Sequence, residues 1–245
     1  MEKKPEKSVS EAIQYRRSVR VFKKDAIDEN KVKECIRLAT LAPTSDNLQL
    51  WEFYHIVSTD ILDELKAACF NQNAARTANQ MVVVVSRKDL WKKRLESNIT
   101  SLKTKFGVKP ESEYSKAERS ALNYYQKAVP KLYSDFIGIR GTFKFIFHKL
   151  KGLFKPVHRE SRHSDMRIVA HKSTALAAQN FMISMSAINY DTCPMEGYDS
   201  SRVKKILNLP SSVEITMIIS CGIREDHGVY GTRFRVPFEE VYFKK

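Results

Sequence analysis

Apolar positions along this chain switch between two periods, and the switches predict its elements. In residues 28–41, Val32, Cys35, Ile36, Ala39 and Leu41 gather close to one face, which predicts an amphipathic helix. Asp28 starts it and Pro43 ends it. Ser8 or Ser10 caps an earlier, shorter helix running through 11–15, and the stretch VFKKDAI breaks the pattern between the two. The polar segment APTSDNLQLW reads as loop. FYHIVS, rich in aromatic and β-branched residues, reads as a strand, and 60–70 returns to helix. MVVVVS is apolar throughout, which predicts a central strand covered on both faces. Residues 166–185 carry a long helical pattern. Its small residues Ser173, Ala175, Ala177 and Ala178 predict close packing against another helix. SVEITMIISCGI, with Pro210 ahead of it, is the last core strand. The end, FRVPFEEVYFKK, places an apolar or aromatic residue at regular intervals and predicts an arm lying on another surface. Helix outnumbers strand and the two alternate, so the class is α+β or α/β.

Length and charge narrow this. A chain of 245 residues makes one large domain or two small ones. The net charge of +14 suits a nucleic acid, an anionic membrane surface or a phosphorylated cofactor, and does not choose among them. Most of it is local: residues 87–162 hold 19 Lys and Arg against 7 Asp and Glu. Pro110, Pro130 and Pro156 divide that region into helices and loops, and its centre mixes aromatics with lysines. Cys35, Cys69, Cys193 and Cys221 form no CxxC pair, which argues against a disulfide framework and for a reduced, cytoplasmic setting. No signal-like stretch opens the sequence, and no segment reaches transmembrane length.

Four polar clusters carry candidate chemistry. Arg16, Arg17, Ser18 and Arg20 offer paired guanidinium donors and a hydroxyl, suited to a phosphate, although a solvated arginine face has the same composition. Thr44, Ser45, Asn47 and Gln49, between Pro43 and Trp51, suit either a heteroaromatic ring edge or an ordinary turn. In CPMEGYD, Pro194 and Gly197 bracket a constrained loop. Glu196 there is an acid, a base or a solvated side chain, and Cys193 reads as a buried inert thiol. In RFR, Arg233 and Arg235 point the same way on an extended segment and can clamp one anion, or line a solvated edge. The six histidines include no HExxH and no zinc spacing, so no metal is expected. A GxGxxG fingerprint and a nucleophile–histidine pair are also missing.

Taken together, and in this order, these pieces resemble the nitroreductase superfamily of FMN-dependent oxidoreductases. The resemblance covers roughly 8–86 and 165–245. It implies an α+β fold with a central, mostly antiparallel sheet flanked by helices. It implies a single domain over 8–245, with 87–162 as a basic helical insertion or lid. It further implies an intertwined homodimer with shared active sites, exchanging an extended C-terminal arm. Arg16, Arg17, Ser18 and Arg20 would hold the FMN phosphate and ribityl chain, with Arg233 and Arg235 closing on the phosphate. Pro43, Thr44, Ser45, Asn47 and Gln49 would come from the partner subunit. Asn71 would hydrogen-bond the flavin ring, and Pro194, Met195, Glu196 and Gly197 would lie beside it, the last two at flavin N5. NADH or NADPH would donate hydride, and a small electron-poor acceptor (a nitroaromatic, a quinone or an activated enone) would take it. The long helix, through its small face, would make the central dimer contact. Where the family often carries glycines, this chain has Ala187, Ile188, Asn189 and Tyr190, of which asparagine tolerates a left-handed backbone. The aromatics Tyr124, Tyr125, Tyr133, Phe136, Phe143, Phe145 and Phe147 would line a lid or form helix cores. Membrane-surface contact through KFIFHKLKGLFK is the lesser alternative. A nucleic-acid-binding or non-catalytic interaction protein of the same fold is the rival reading, though no nucleic-acid partner is expected.

Overall fold

A computed structural model describes residues 5–134, 147, 150–157 and 162–245. Helix α1 (Val9–Tyr15) begins at Ser8, whose hydroxyl accepts from the Glu11 N–H while the Glu11 carboxylate accepts from the Ser8 N–H at 2.7 Å. Asp28 caps α2 (Glu29–Ala39), accepting from the Asn30 N–H at 2.8 Å. Val32, Cys35 and Ala39 are buried, but Leu41 lies beyond the helix end at Thr40 and is 68% exposed. The apolar face therefore stops at Ala39, two residues earlier than the pattern implies. Strand β1 (Trp51–Ile56) starts ahead of the expected Phe53, and α3 (Thr59–Ala68), α4 (Asn73–Arg76) and β2 (Gln80–Ser86) follow. The basic region supplies α5 (Trp91–Phe106), α6 (Lys116–Asn123), a π turn (Tyr124–Ala128) and α7 (Val129–Tyr133). Then come α8 (His163–Ala187), β3 (Asp191–Met195), α9 (Ser200–Ile206) and β4 (Glu214–Gly222). The architecture is α+β.

The sheet order is β1-β2-β4-β3, with every neighbouring pair antiparallel and a bulge between Val84 and Val85. Every residue of β2 is buried. Met81, Val83 and Val85 pack on one face with Leu62, Leu65 and Val203, whereas Val82 and Val84 pack on the other with Cys35, Phe181 and Met185. That double cover explains an unbroken apolar run in an antiparallel strand. Each buried valine contributes about 1.5–3 kcal/mol as an upper estimate.

One expectation gains detail here and another changes. Two small residues of α8 pack within the chain: Ala178 with Val32 and Ala39 of α2, and Ala177 with Ala42 and Trp51. Ala175 is only partly buried, and the outward positions of α8 include Ile168 and Leu176. Pro130 does not divide the basic region, because helix continues through it. The π turn that precedes it changes the hydrogen-bond spacing where the proline lacks a donor.

The described aromatics of the insertion split. Tyr125 and Tyr133 join a core with Leu48, Leu50 and Met166, while Tyr124 and Phe147 are exposed. Phe136, Phe143 and Phe145 lie outside the described residues, as do 144–146, 148 and 149 of the KFIFHKLKGLFK segment, whose Leu150, Leu153 and Phe154 are exposed. At the carboxy terminus, residues 231–245 are exposed throughout, with Phe234, Val236, Phe238, Val241, Tyr242 and Phe243 all turned outward.

Candidate functional site

After α1 the chain becomes extended and runs along the edge of the sheet. Ser18 bridges Thr192 of β3, Phe22 bridges Arg224, and the Val19 N–H donates to Thr192 O at 3.1 Å. Val19 and Phe22 are buried, whereas Ser18 and Arg20 line an open cleft. Two glycines permit this close path. A Cβ on Gly222 would lie 2.8 Å from the Phe22 ring, and one on Gly228 would overlap the Val21 carbonyl oxygen. Gly228 O also accepts from the Arg20 N–H at 2.6 Å. An ion pair between partly buried Arg224 and buried Asp191 pins the corner. Arg224 holds Asp191 through Nε at 2.9 Å and through Nη2, and its guanidinium lies 4.0 Å from the Tyr15 ring centroid. Burial disfavours the Arg224 charge, and the hydrogen bonds and charge of Asp191 outweigh it, so its pKa is raised.

The cleft, about 260 Å³, brings the two ends of the chain together: Arg16, Arg17, Ser18 and Arg20 line it with Arg233 and Arg235. Among the described residues no carboxylate lines it. Arg233 Nη2 donates to Arg16 O at 2.5 Å and Arg17 Nη2 to Gly231 O at 3.0 Å, so backbone carbonyls hold these side chains in place without neutralising them. Burial first, then the like charges of Arg233 and Arg235, push the Arg16 guanidinium below its ordinary pKa. Such a cluster is a receptor for a multiply charged anion.

The 71–73 run connects this cleft to the loop after β3. Gln72 Nε2 donates to Gly197 O at 2.9 Å, and Asn73 Nδ2 donates to Oη of Tyr230, a cleft residue, at 2.7 Å. Among the described residues the Asn71 side chain has no hydrogen-bond partner, and Asn71 is exposed with φ of 50°. Glu196 and Gly197 are also exposed.

Pro194 and Met195 are not loop residues: they end strand β3, paired with Ile219 and Ile218. The strand tolerates Pro194 because it is the sheet's edge, where a missing N–H breaks no ladder. Met195 is buried in the core, so its side chain does not face outward. Cys193 is fully buried, and burial raises its pKa against the pull of Arg20 and Arg16, which suits an inert thiol.

Pro43, Thr44, Ser45, Asn47 and Gln49 do not line the arginine cleft. Thr44 Oγ1 accepts from the Gln49 N–H at 3.2 Å, and the Ser45 N–H donates to Ser173 of α8 at 3.3 Å. Asp46, Asn47 and Gln49 all have φ near 50°. Buried Trp51 anchors the loop's far end.

The Nitroreductase family model matches residues 13–223, running across the basic region as well. The chain belongs to the nitroreductase family. Protein DrgA of Synechocystis is 26% identical over 220 residues, covering 88% of this chain and 84% of that protein. A Thermus thermophilus protein named NADH dehydrogenase is 24% identical over 226 residues, covering 92% and 90%. An Exiguobacterium sibiricum candidate nitroreductase, solved in complex with FMN, is 20% identical with a TM-score of 0.68 over 100% of both chains.

In this nitroreductase-family chain the structure adds residues that the motifs did not announce: Tyr230, Gly228 and the Arg224–Asp191 pair. A glycine in EDHGVY signals a turn, but not the strand it packs against. An arginine and an aspartate 33 positions apart carry no sign that they pair. At the position where the family often carries glycines, Asn189 takes the left-handed backbone at φ 66°, and the Tyr190 hydroxyl accepts from the Asp28 N–H at 3.0 Å, at the start of α2. Among the described residues there is no group of three potential metal ligands, and no helix is long and apolar enough to cross a membrane.

Proposed function

We propose that this chain is an FMN-dependent oxidoreductase that works as a homodimer and moves hydride from NADH or NADPH to an electron-poor small molecule. A nitroaromatic, a quinone or an activated enone is the acceptor class. One observation carries the reading: guanidinium groups from both ends of the chain converge on one cleft without a carboxylate among its described lining residues. That donor set fits a phosphate, which supplies the missing negative charge and accepts paired N–H donors.

Arg16, Arg17, Ser18 and Arg20 hold the phosphate and the adjoining chain, and Arg233 and Arg235 close over it. Asn71, the one amide of the 71–73 run left uncommitted, presents its side chain to the ring edge, while Gln72 and Asn73 brace the walls on either side. Glu196 and Gly197 offer the backbone at the ring, steadied by the Gln72 contact. Pro194 and Met195 serve by carrying that loop on an edge strand. When bound, FMN supplies a ring that takes up hydride and passes it on. Pro43, Thr44, Ser45, Asn47 and Gln49 reach the site of the partner subunit, consistent with their lying away from the cleft of their own chain. Beyond Arg235 the outward apolar arm, 236–245, is exchanged between subunits, which would cover its exposed aromatics. Residues 8–245 form one domain with 87–162 inserted, and four buried free thiols suit a reduced cytoplasm.

The test is anaerobic. The purified protein should be yellow, bleach on addition of NADH or NADPH, and regain colour with one of the named acceptors. Colourless protein that takes up no added FMN would overturn the proposal.

A further inference from the structure

The 44–49 loop is held from outside, by the basic insertion. Asn47 Nδ2 donates to Asn98 Oδ1 at 2.8 Å, and Asn98 Nδ2 donates back to Asn47 O at 2.9 Å, which closes a reciprocal amide pair between the loop and α5. Asn98 Nδ2 is itself anchored on Arg94 O at 2.9 Å. The Tyr124 hydroxyl donates to the Asp46 carboxylate, and Tyr124 opens the π turn, an irregularity that recurs at functional positions. That carboxylate bond, then burial, pushes the Tyr124 hydroxyl up to about 12, so it stays a donor at neutral pH.

The loop needs such support. Asp46, Asn47 and Gln49 occupy the left-handed region at φ of 53°, 49° and 49°, and the stretch APTSDNLQLW contains no glycine to make that conformation easy. Backbone of this kind persists where its surroundings over-determine it, and it clusters at ligand clamps. Here the surroundings are the Thr44 hydroxyl and Ser173 of α8 on the inner side and side chains of the insertion on the outer side. Without the insertion's contacts, the Asp46 and Asn47 side chains lose their outer restraint.

We infer that Asn98 and Tyr124 are positioning residues: the insertion splints the 44–49 loop in the conformation that completes a cofactor site. This rests on reading that loop as part of the FMN site. Affinity falls in proportion to the fraction of molecules whose loop is competent, so loosening the splint weakens FMN binding without touching the arginine cleft.

The experiment titrates flavin-free protein with FMN by fluorescence and follows melting of the same flavin-free protein. Asn98→Ala should weaken FMN binding by about tenfold and Tyr124→Phe by about threefold, the scale of one or two hydrogen bonds. Lys93→Ala, exposed on the same helix, should change neither reading. In a double-mutant cycle, Asn98→Ala should add little on an Asn47→Ala background. Lowered melting with an unchanged FMN dissociation constant, or strictly additive losses with Asn47→Ala, would overturn the inference while leaving the FMN reading intact. Wild-type protein that binds no FMN would overturn that reading instead, and the splint with it. Tyr124→Phe keeps the ring and its packing, so the test stands even if Asn98→Ala does not fold.

Discussion

The insertion and the arginine cleft are both basic, yet they handle charge in opposite ways. Residues 87–162 carry 19 cationic against 7 anionic side chains. In the described part of that region, three cations sit on carboxylates: Arg87 on Glu52 and on Asp89 at 3.0 Å, Lys103 on Glu111 at 2.7 Å, and Lys109 on Glu118 at 2.9 Å. In the cleft, burial and then the like charges of Arg233 and Arg235 disfavour the charge of Arg16, and no carboxylate among the described residues lines the space. Net charge by itself therefore does not single out the arginine cleft. What marks the candidate site is a small group of cations that the fold gathers with no carboxylate among the described lining residues. Arg224, close by, shows the contrast within one neighbourhood: its charge is satisfied by buried Asp191, and it supports the cleft without lining it.

Substitutions can break or sharpen this contrast. The largest effect belongs to Arg16→Ala combined with Arg235→Ala. Removing two charge-assisted hydrogen bonds to the phosphate, at about 1.5–3 kcal/mol each, should weaken FMN binding by a hundredfold or more. The far-ultraviolet circular dichroism should be nearly unchanged, and unaltered flavin occupancy would reject the phosphate assignment.

Asp191→Asn comes next, and acts on stability first. Removing the countercharge of a partly buried arginine should cost about 1.5–3 kcal/mol, seen as a lower denaturant midpoint. A midpoint close to wild type would mean that Arg224 is solvated after all.

Asp89→Asn tests the insertion's edge. Burial raises the Asp89 carboxyl, but the hydrogen bonds and charge of Arg87 more than reverse this and leave it below its ordinary value of 3.8. A depressed folded pKa contributes stability above the unfolded value and loses it as pH falls through the folded one. Wild type should exceed Asp89→Asn by about 1 kcal/mol at pH 7, and the two should converge below about pH 3.8. Parallel curves down to pH 2 would contradict this. The smallest effect is that of Lys103→Ala, which breaks a solvent-exposed pair: the melting temperature should barely move and FMN affinity should not change. A clear loss of affinity there would show that the insertion's charge acts on the site directly.

Much of the frame was legible because its signals are short-range. Ser8 and Asp28 cap helices through N–H groups two or three residues away, and the MVVVVS run declares itself a doubly covered strand. Leu41 misleads because periodicity continues past a helix that has already closed at Thr40. Pro194 misleads because a proline usually marks a loop, and only the strand order shows that β3 is an edge. The small residues of α8 were correctly read as a close-packing face, but which partner they meet, another subunit or this chain's own α2, is not written in their size.

The sequence by itself determined the helix starts, the central strand, the locations of the arginine motifs and membership in a recognisable class, since each depends on residues within a turn or two of one another. Tertiary structure alone decided that Arg233 meets the backbone of Arg16 across 217 positions, that Gln72 and Asn73 are committed and Asn71 is left over, and that Arg224 is neutralised while its neighbours are not. The physical reason is one of range. Hydrogen bonds and periodicity act locally along the chain, whereas the balance of charge in a cleft depends on which distant segments the closed sheet brings within a few ångströms.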